Sequence, residues 1–166
     1  DINMGCPSKA VEKKNCGAKL ITVPDLAVKI IRATKQGILD WSRGQTLEDL
    51  KLPPALIDTV CRMNLKRAGS TKTAVKRPIP FSIKTRIGYD KVVIESWIET
   101  LLAEAPAVIS IHGRTLKQMY RGLSDWDAIA RAKRLACHTP TLIFGNGDID
   151  SLEKALERIQ ASGVDG

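Results

Sequence analysis

Three times in this chain a short aliphatic run gives way within a few residues to an amphipathic helical pattern. That alternation restricts the fold more than any other feature. "PFSIKTRIG" precedes "DKVVIESWIETLLAEA", "AVISIHGRT" precedes "SDWDAIARAKRLA", and "TLIFGNGDI" precedes "DSLEKALERIQASG". Strands joined through helices by short connections run parallel, so the fold class is α/β, with a sheet either open and doubly wound or closed as a barrel. Spacing favours the barrel. Lys84 lies 28 residues before His112, and His112 lies 34 before Asn146, close to the roughly 30 residues per unit of a (β/α)8 TIM barrel of about 250 residues. Local signals set the expected helix ends. Asp90 is expected to cap the helix carrying Val93, Trp97 and Leu101, Trp126, Ile129 and Ala130 to share one helix face, Asp150 with Glu153 to form a capping box, and Gly163 to stop the last helix.

From Cys6 to Lys84 is 78 residues, too long for one unit by something over 40 at the barrel spacing. The excess is expected as an insertion at about 36–78. Pro24 opens a helix that Gly37 should end; one short and one longer helix follow, the longer with Pro54 near its start and Gly69 at its end, and then the basic loop "STKTAVKRP". Charge concentrates in the same region. The chain's net charge is +8, and between Thr59 and Tyr89 stand Arg62, Lys66, Arg67, Lys72, Lys76, Arg77, Lys84 and Arg86 with no acidic residue. Such a stretch suits a polyanion such as RNA, the competing reading being a solvated basic face without a partner.

Other classes recede on composition. At 166 residues and 43% hydrophobic the chain can bury a core. It contains neither a membrane-length apolar run nor a signal-peptide pattern, so the cytoplasm is the expected location. Cys6, Cys16, Cys61 and Cys137 lack CxxC spacing and only two histidines occur. No metal site or disulfide framework is therefore expected, and the cysteines are expected as free thiols.

Period-two alternation sorts the strand residues by face. Phe81 and Ile83 oppose Ser82, Lys84 and Arg86; Ile109 and Ile111 oppose Ser110 and His112. If the aliphatics meet the helices, Lys84 and His112 point into the barrel mouth, where a lysine needs an anion or a hydrogen-bonding ligand. Taken singly, Lys84 also fits a strand-end lysine reaching water, and His112 a satisfied core histidine. In "GNGDI" the glycines permit close approach of backbone to a ligand, and the turn into a helix presents N–H groups to an anion, although the same residues mark ordinary turns. The thiol in "DINMGCPSK" fits either a small buried turn residue or a reactive group.

These stretches together resemble the bacterial tRNA-dihydrouridine synthases. "DINMGCP" is similar to the family's active-cysteine segment, "IKTRIG" to its lysine strand, "SIHGRTLKQMYRGLSDWDAIA" to its histidine strand and following loop, and "GNGDI" to its flavin-binding turn, all in the family's order. The resemblance covers most of residues 1–35 and 79–166 and leaves out the basic insertion. It implies a partial TIM barrel, from about the end of strand four to the start of strand eight. That barrel would hold FMN, reduced by NADPH, and reduce a uridine of tRNA to 5,6-dihydrouridine. By the resemblance Cys6 is the proton donor, Lys84, His112, Asn146, Gly147 and Asp148 contact FMN, Asn3 and Arg86 lie near the uracil, and Arg114 reaches the flavin phosphate or the RNA. An ordinary thiol, with a pKa of about 8.5, stays mostly protonated at neutral pH and suits the part of an acid. The family's first flavin segment and its C-terminal helical RNA-binding domain have no counterpart in these 166 residues. The chain is therefore expected to be an inactive fragment of an enzyme that is monomeric at full length. Two other readings stand beside this one: another FMN barrel oxidoreductase such as a dihydroorotate dehydrogenase, and a non-catalytic RNA-binding piece.

Overall fold

The computed structural model describes residues 1–68 and 77–166. Strand β1 (Ile2–Asn3) is followed by the short helix α1 (Lys9–Glu12), a 3-10 turn at Gly17–Thr22 and helix α2 (Pro24–Ser42). A 3-10 turn at Glu48–Leu50 leads to α3 (Pro54–Ala68). Then β2 (Ser82–Arg86), α4 (Ile94–Leu102), β3 (Val108–His112), α5 (Trp126–Ala136), β4 (Leu142–Asn146) and α6 (Leu152–Ser162) alternate strictly. The four strands form one parallel sheet in the order β1-β2-β3-β4. Spatial order follows chain order without reversal, as along the wall of a barrel; a doubly wound sheet reverses direction at a switch point. Beyond α6, Asp165 donates its N–H to the Ile143 carbonyl and Gly166 accepts from Gly145, so the chain returns to the free edge of β4.

The expected alternation of faces is present. Ile83, Ile109, Ile111 and Ile143 are fully buried and share the core with Trp97, Ile98, Leu101, Ile129 and Ala132 of α4 and α5. The one polar side chain on that face of β2, Thr85, is satisfied there: its hydroxyl donates to the Met4 carbonyl and accepts from the Trp97 indole N–H at 2.9 Å. The pairing matters because an unpartnered hydroxyl in such a core costs about 1–3 kcal/mol.

The chain divides into two compact units, residues 1–32 with 80–166, and residues 33–79. Every buried residue among those described belongs to the first; none of the second is buried. Among the described residues no helix is long and apolar enough to cross a membrane.

Several local expectations shift. Asp90 does not cap α4, which starts at Ile94 behind Val93; Gly88 instead bridges to Val92, and Asp90 accepts from the Lys91 N–H inside that tight turn. The cap of α6 is Ser151, whose hydroxyl oxygen accepts from the Lys154 N–H, while Asp150 forms an ion pair with the Lys154 ammonium. Only Ser151, in extended backbone just ahead of the helix, stands where a side chain can reach back to the first turn. Gly37 does not end α2, because one glycine costs a helix only about 1 kcal/mol and Gln36 donates to Asp40 across it. Pro24, Pro54 and Gly163 stand at helix ends as expected; Gly69, Lys72 and Lys76 lie outside the described residues.

Candidate functional site

The register of a parallel sheet lines up the last residues of its strands. Asn3 of β1 pairs with Lys84, and Arg86, His112 and Asn146 form one row across β2, β3 and β4. Asn3, Arg86, His112 and Asn146 therefore stand at the carboxyl ends of their strands, Arg114 and Asp148 just beyond, and Lys84 two residues before the end of β2, toward the side on which barrel enzymes place their chemistry.

At the β1 end the Asn3 side-chain oxygen accepts from the N–H groups of Gly5 (3.1 Å) and Cys6 (2.9 Å), closing a tight turn that fixes the cysteine. Arg86 supports the turn from β2: its Nε donates to the Gly5 carbonyl at 2.8 Å and its Nη1 to the Thr115 carbonyl at 3.3 Å. The chain then returns against it, Ala18 donating its N–H to the Cys6 carbonyl. Gly17 is required at that point, with φ +60 and any Cβ falling 2.6 Å from the Cys6 carbonyl oxygen. Cys6 stays half-buried, while Cys16, Cys61 and Cys137 are exposed thiols.

On the neighbouring strands Lys84 donates from Nζ to the Asn146 side-chain oxygen at 3.0 Å, reaching across β3. Burial, and secondarily the Arg86 charge, lowers the Lys84 pKa. Burial first, then Arg86, Lys84 and Arg114, push His112 down to about 4, with only Asp148 acting against them. His112 is therefore a neutral imidazole at pH 7, able to donate from one nitrogen and accept at the other.

At the β4 end Arg114 and Asp148 belong to each other. The Arg114 Nη2 lies 2.7 and 2.9 Å from the two Asp148 oxygens and also donates to the Gly122 carbonyl, and the Ser124 N–H donates to Asp148 at 2.7 Å. The Ser124 N–H and then the guanidinium hold the Asp148 carboxyl at about 2. Sequence reading missed this staple between the β3 and β4 loops, and with it Ser124 and Trp126, whose indole N–H donates to the Gly147 carbonyl. Gly147, at φ +127, leaves no room for a side chain: a Cβ would sit 2.2 Å from the Ser124 hydroxyl oxygen and 3.0 Å from the His112 ring.

The donor set fits a flavin. Among the described hydrogen bonds the half-buried Lys84 ammonium has only a neutral amide as partner, and the neighbouring groups it faces are the Arg86 charge and the uncharged His112. A buried cation so placed calls for an electron-rich ligand. The tightly turned backbone at Gly147 directly follows Asn146, the residue that Lys84 reaches. With its carboxylate engaged by Arg114 and Ser124, Asp148 has its backbone left to offer such a ligand.

The chain matches the dihydrouridine synthase (Dus) family model over residues 1–39 and 58–166. It is 31% identical over 169 residues to a probable tRNA-dihydrouridine synthase of Staphylococcus aureus (strain Mu50), covering 100% of this chain and 39% of that protein. A probable tRNA-dihydrouridine synthase of Rhizobium leguminosarum bv. phaseoli is 31% identical over 167 residues, and tRNA-dihydrouridine synthase B of Vibrio vulnificus (strain CMCP6) is 30% identical over 167; each match covers 99% of this chain and 39% of the relative. The chain thus spans about two fifths of the length of the curated relatives it matches. The family match resumes at residue 58, within α3, and leaves out 40–57.

Proposed function

The chain belongs to the dihydrouridine synthase family, and from that premise we propose that it forms the catalytic part of a flavin enzyme that reduces uridine in tRNA to 5,6-dihydrouridine. The observation that supports this most is the convergence at one set of strand ends of a fixed cysteine turn, an unneutralised lysine and a neutral histidine. In this reading the chain is part of a TIM barrel running from the end of strand four to the start of strand eight, and residues 36–78 are an insertion that assists RNA binding.

FMN, reduced by NADPH, would supply a hydride to C6 of the uracil ring. Lys84, His112, Asn146 and the backbone at Gly147 and Asp148 would hold the cofactor. The C5=C6 bond is conjugated with the C4 carbonyl, so charge develops at O4 and C5 as C6 is reduced. Cys6, on the turn that Asn3 and Arg86 brace, would give its proton to C5. Asn3, through its amide NH2, and Arg86 would hold the uracil carbonyls as that charge develops. Arg114 acts by fixing the loops around the site. The base has to leave its stack to enter, as in other enzymes acting on a base.

The test is NADPH-dependent formation of dihydrouridine in an unmodified tRNA transcript by the flavin-loaded full-length protein, read by nucleoside mass spectrometry. Uridine reduction in tRNA is expected. Turnover of free dihydroorotate with no change in tRNA would instead assign the site to another flavin barrel.

A further inference from the structure

Beside the cysteine turn two loops bring positive charge to an aromatic ring carried by a third. Tyr89, in the loop after β2, has the Lys19 ammonium 4.8 Å and the Lys117 ammonium 5.3 Å from its ring centroid. Lys19 follows the cysteine turn and Lys117 comes from the loop after β3. The Tyr89 hydroxyl is tied to the Glu12 carboxylate. The arrangement is anchored in backbone: Lys117 donates its N–H to the Tyr89 carbonyl at 2.8 Å, Leu116 donates to Gly88, and Ala18, next to Lys19, donates to the Cys6 carbonyl. Lys9 and Lys13 line a shallow depression together with Lys19 and Glu12. Lys19 and Lys117 at the ring, with Lys9 and Lys13 in the depression, thus outnumber Glu12, which the tyrosine already engages, and Asp90, whose charge also reaches Tyr89. Two ammonium groups drawn to one ring repel each other, and an anion lying across them relieves that repulsion.

We propose that Lys19 and Lys117, gathered by Tyr89, form a phosphate-binding footprint that holds the RNA backbone beside the cysteine turn. The inference rests on the proposed tRNA substrate and adds where the polyanion lies. An extruded nucleotide keeps its flanking phosphates within a few ångströms of the pocket it enters, so a cationic pair gathered by Tyr89, one lysine just after the cysteine turn and the other on the loop after β3, sets the register of the strand over the site. The expected ligand is the phosphodiester chain, read by charge and without regard to sequence.

The experiment compares full-length wild-type protein, the double variant Lys19→Gln/Lys117→Gln, and a control, Arg131→Gln/Lys154→Gln, which removes the same charge from α5 and α6, where these residues pair with Glu95 and Asp150. Affinity for an unmodified tRNA transcript is measured across a salt series. The first double variant should lose about 0.7–0.9 log units of salt slope per lysine, while the control keeps the wild-type slope. Equal slopes in all three proteins, or an equal loss in the control, would overturn the footprint. So would a raised KM for NADPH with the RNA slope unchanged, which would make the nicotinamide cofactor's phosphates the ligand. Dihydrouridine is scored in parallel: its absence alongside the expected slopes would sink the enzymatic reading and leave the footprint standing.

Discussion

The two compact units differ in what they bury and in what they present. Residues 1–32 with 80–166 hold the whole described core, in which Ile83, Ile109, Ile111, Trp97 and Ile129 lie at 2% exposure or less, and all nine candidate site residues. Residues 33–79 bury nothing among those described; Leu56, Met63 and Leu65 of α3 are 46%, 58% and 47% exposed, beside Arg62, Lys66 and Arg67. Precise chemistry requires groups held to fractions of an ångström by packed surroundings, and only the first unit supplies them. The second offers charge, whose attraction for a polyanion tolerates loose geometry.

If that division is right, the largest effect belongs to Cys6. In the full-length enzyme Cys6→Ala should slow dihydrouridine formation by roughly 10²–10⁴-fold while NADPH still reduces the flavin, and Cys16→Ala should leave both half-reactions at the wild-type rate. Stopped-flow absorbance separates the two half-reactions, and equal damage from both substitutions would remove the distinction between a fixed and an exposed thiol.

Stability should follow the same boundary. Ile109→Ala, in the core, is expected to cost about 2–5 kcal/mol, against about 0.5 kcal/mol or less for Leu56→Ala on the exposed α3. Urea unfolding followed by tryptophan fluorescence measures both, and a large loss at Leu56 would give the second unit a core of its own.

His112 gives a smaller, pH-dependent effect. Its folded pKa of about 4 lies below the roughly 6.5 of an unfolded histidine, so the unfolded chain takes up a proton first as pH falls. The stability that neutral His112 contributes is complete above about pH 6.5 and is lost progressively as pH falls towards 4. His112→Gln should flatten that part of the stability profile, and an unaltered profile would place His112 in open solvent.

The smallest effect is expected from the basic stretch. Neutralising Lys72, Lys76 and Arg77 together should raise the KM for tRNA and flatten its salt dependence by up to about 0.7–0.9 log units for each phosphate the variant no longer neutralises, with NADPH oxidation little changed. Superimposable salt slopes with unchanged affinity would assign the stretch to structure alone.

Sequence conveyed most of this where a signal was local. Strand alternation placed Lys84 and His112 opposite the isoleucines, and Pro24, Pro54 and Gly163 marked helix ends because their effect is built into their own backbone. Asp90 and Asp150 misled for the complementary reason: a capping side chain works only if the backbone leaves it beside the first turn, and neighbouring residues decide that. The Arg114–Asp148 staple spans 34 residues, and no local pattern distinguishes a carboxylate that binds a ligand from one that binds an arginine. Ser124 joins it through a backbone N–H, which leaves no trace in residue identity.

The most direct measurement of the central claim, that the polar ends of these strands hold the cofactor, is the flavin content of full-length protein carrying Lys84→Met. Methionine keeps much of the lysine stem and removes the ammonium that reaches Asn146. Wild type should retain flavin absorbance through gel filtration, and the variant should lose most of it at an undiminished melting temperature of the flavin-free protein. A Lys84→Met protein that keeps the wild-type flavin content would contradict the assignment of these strand ends as the cofactor site.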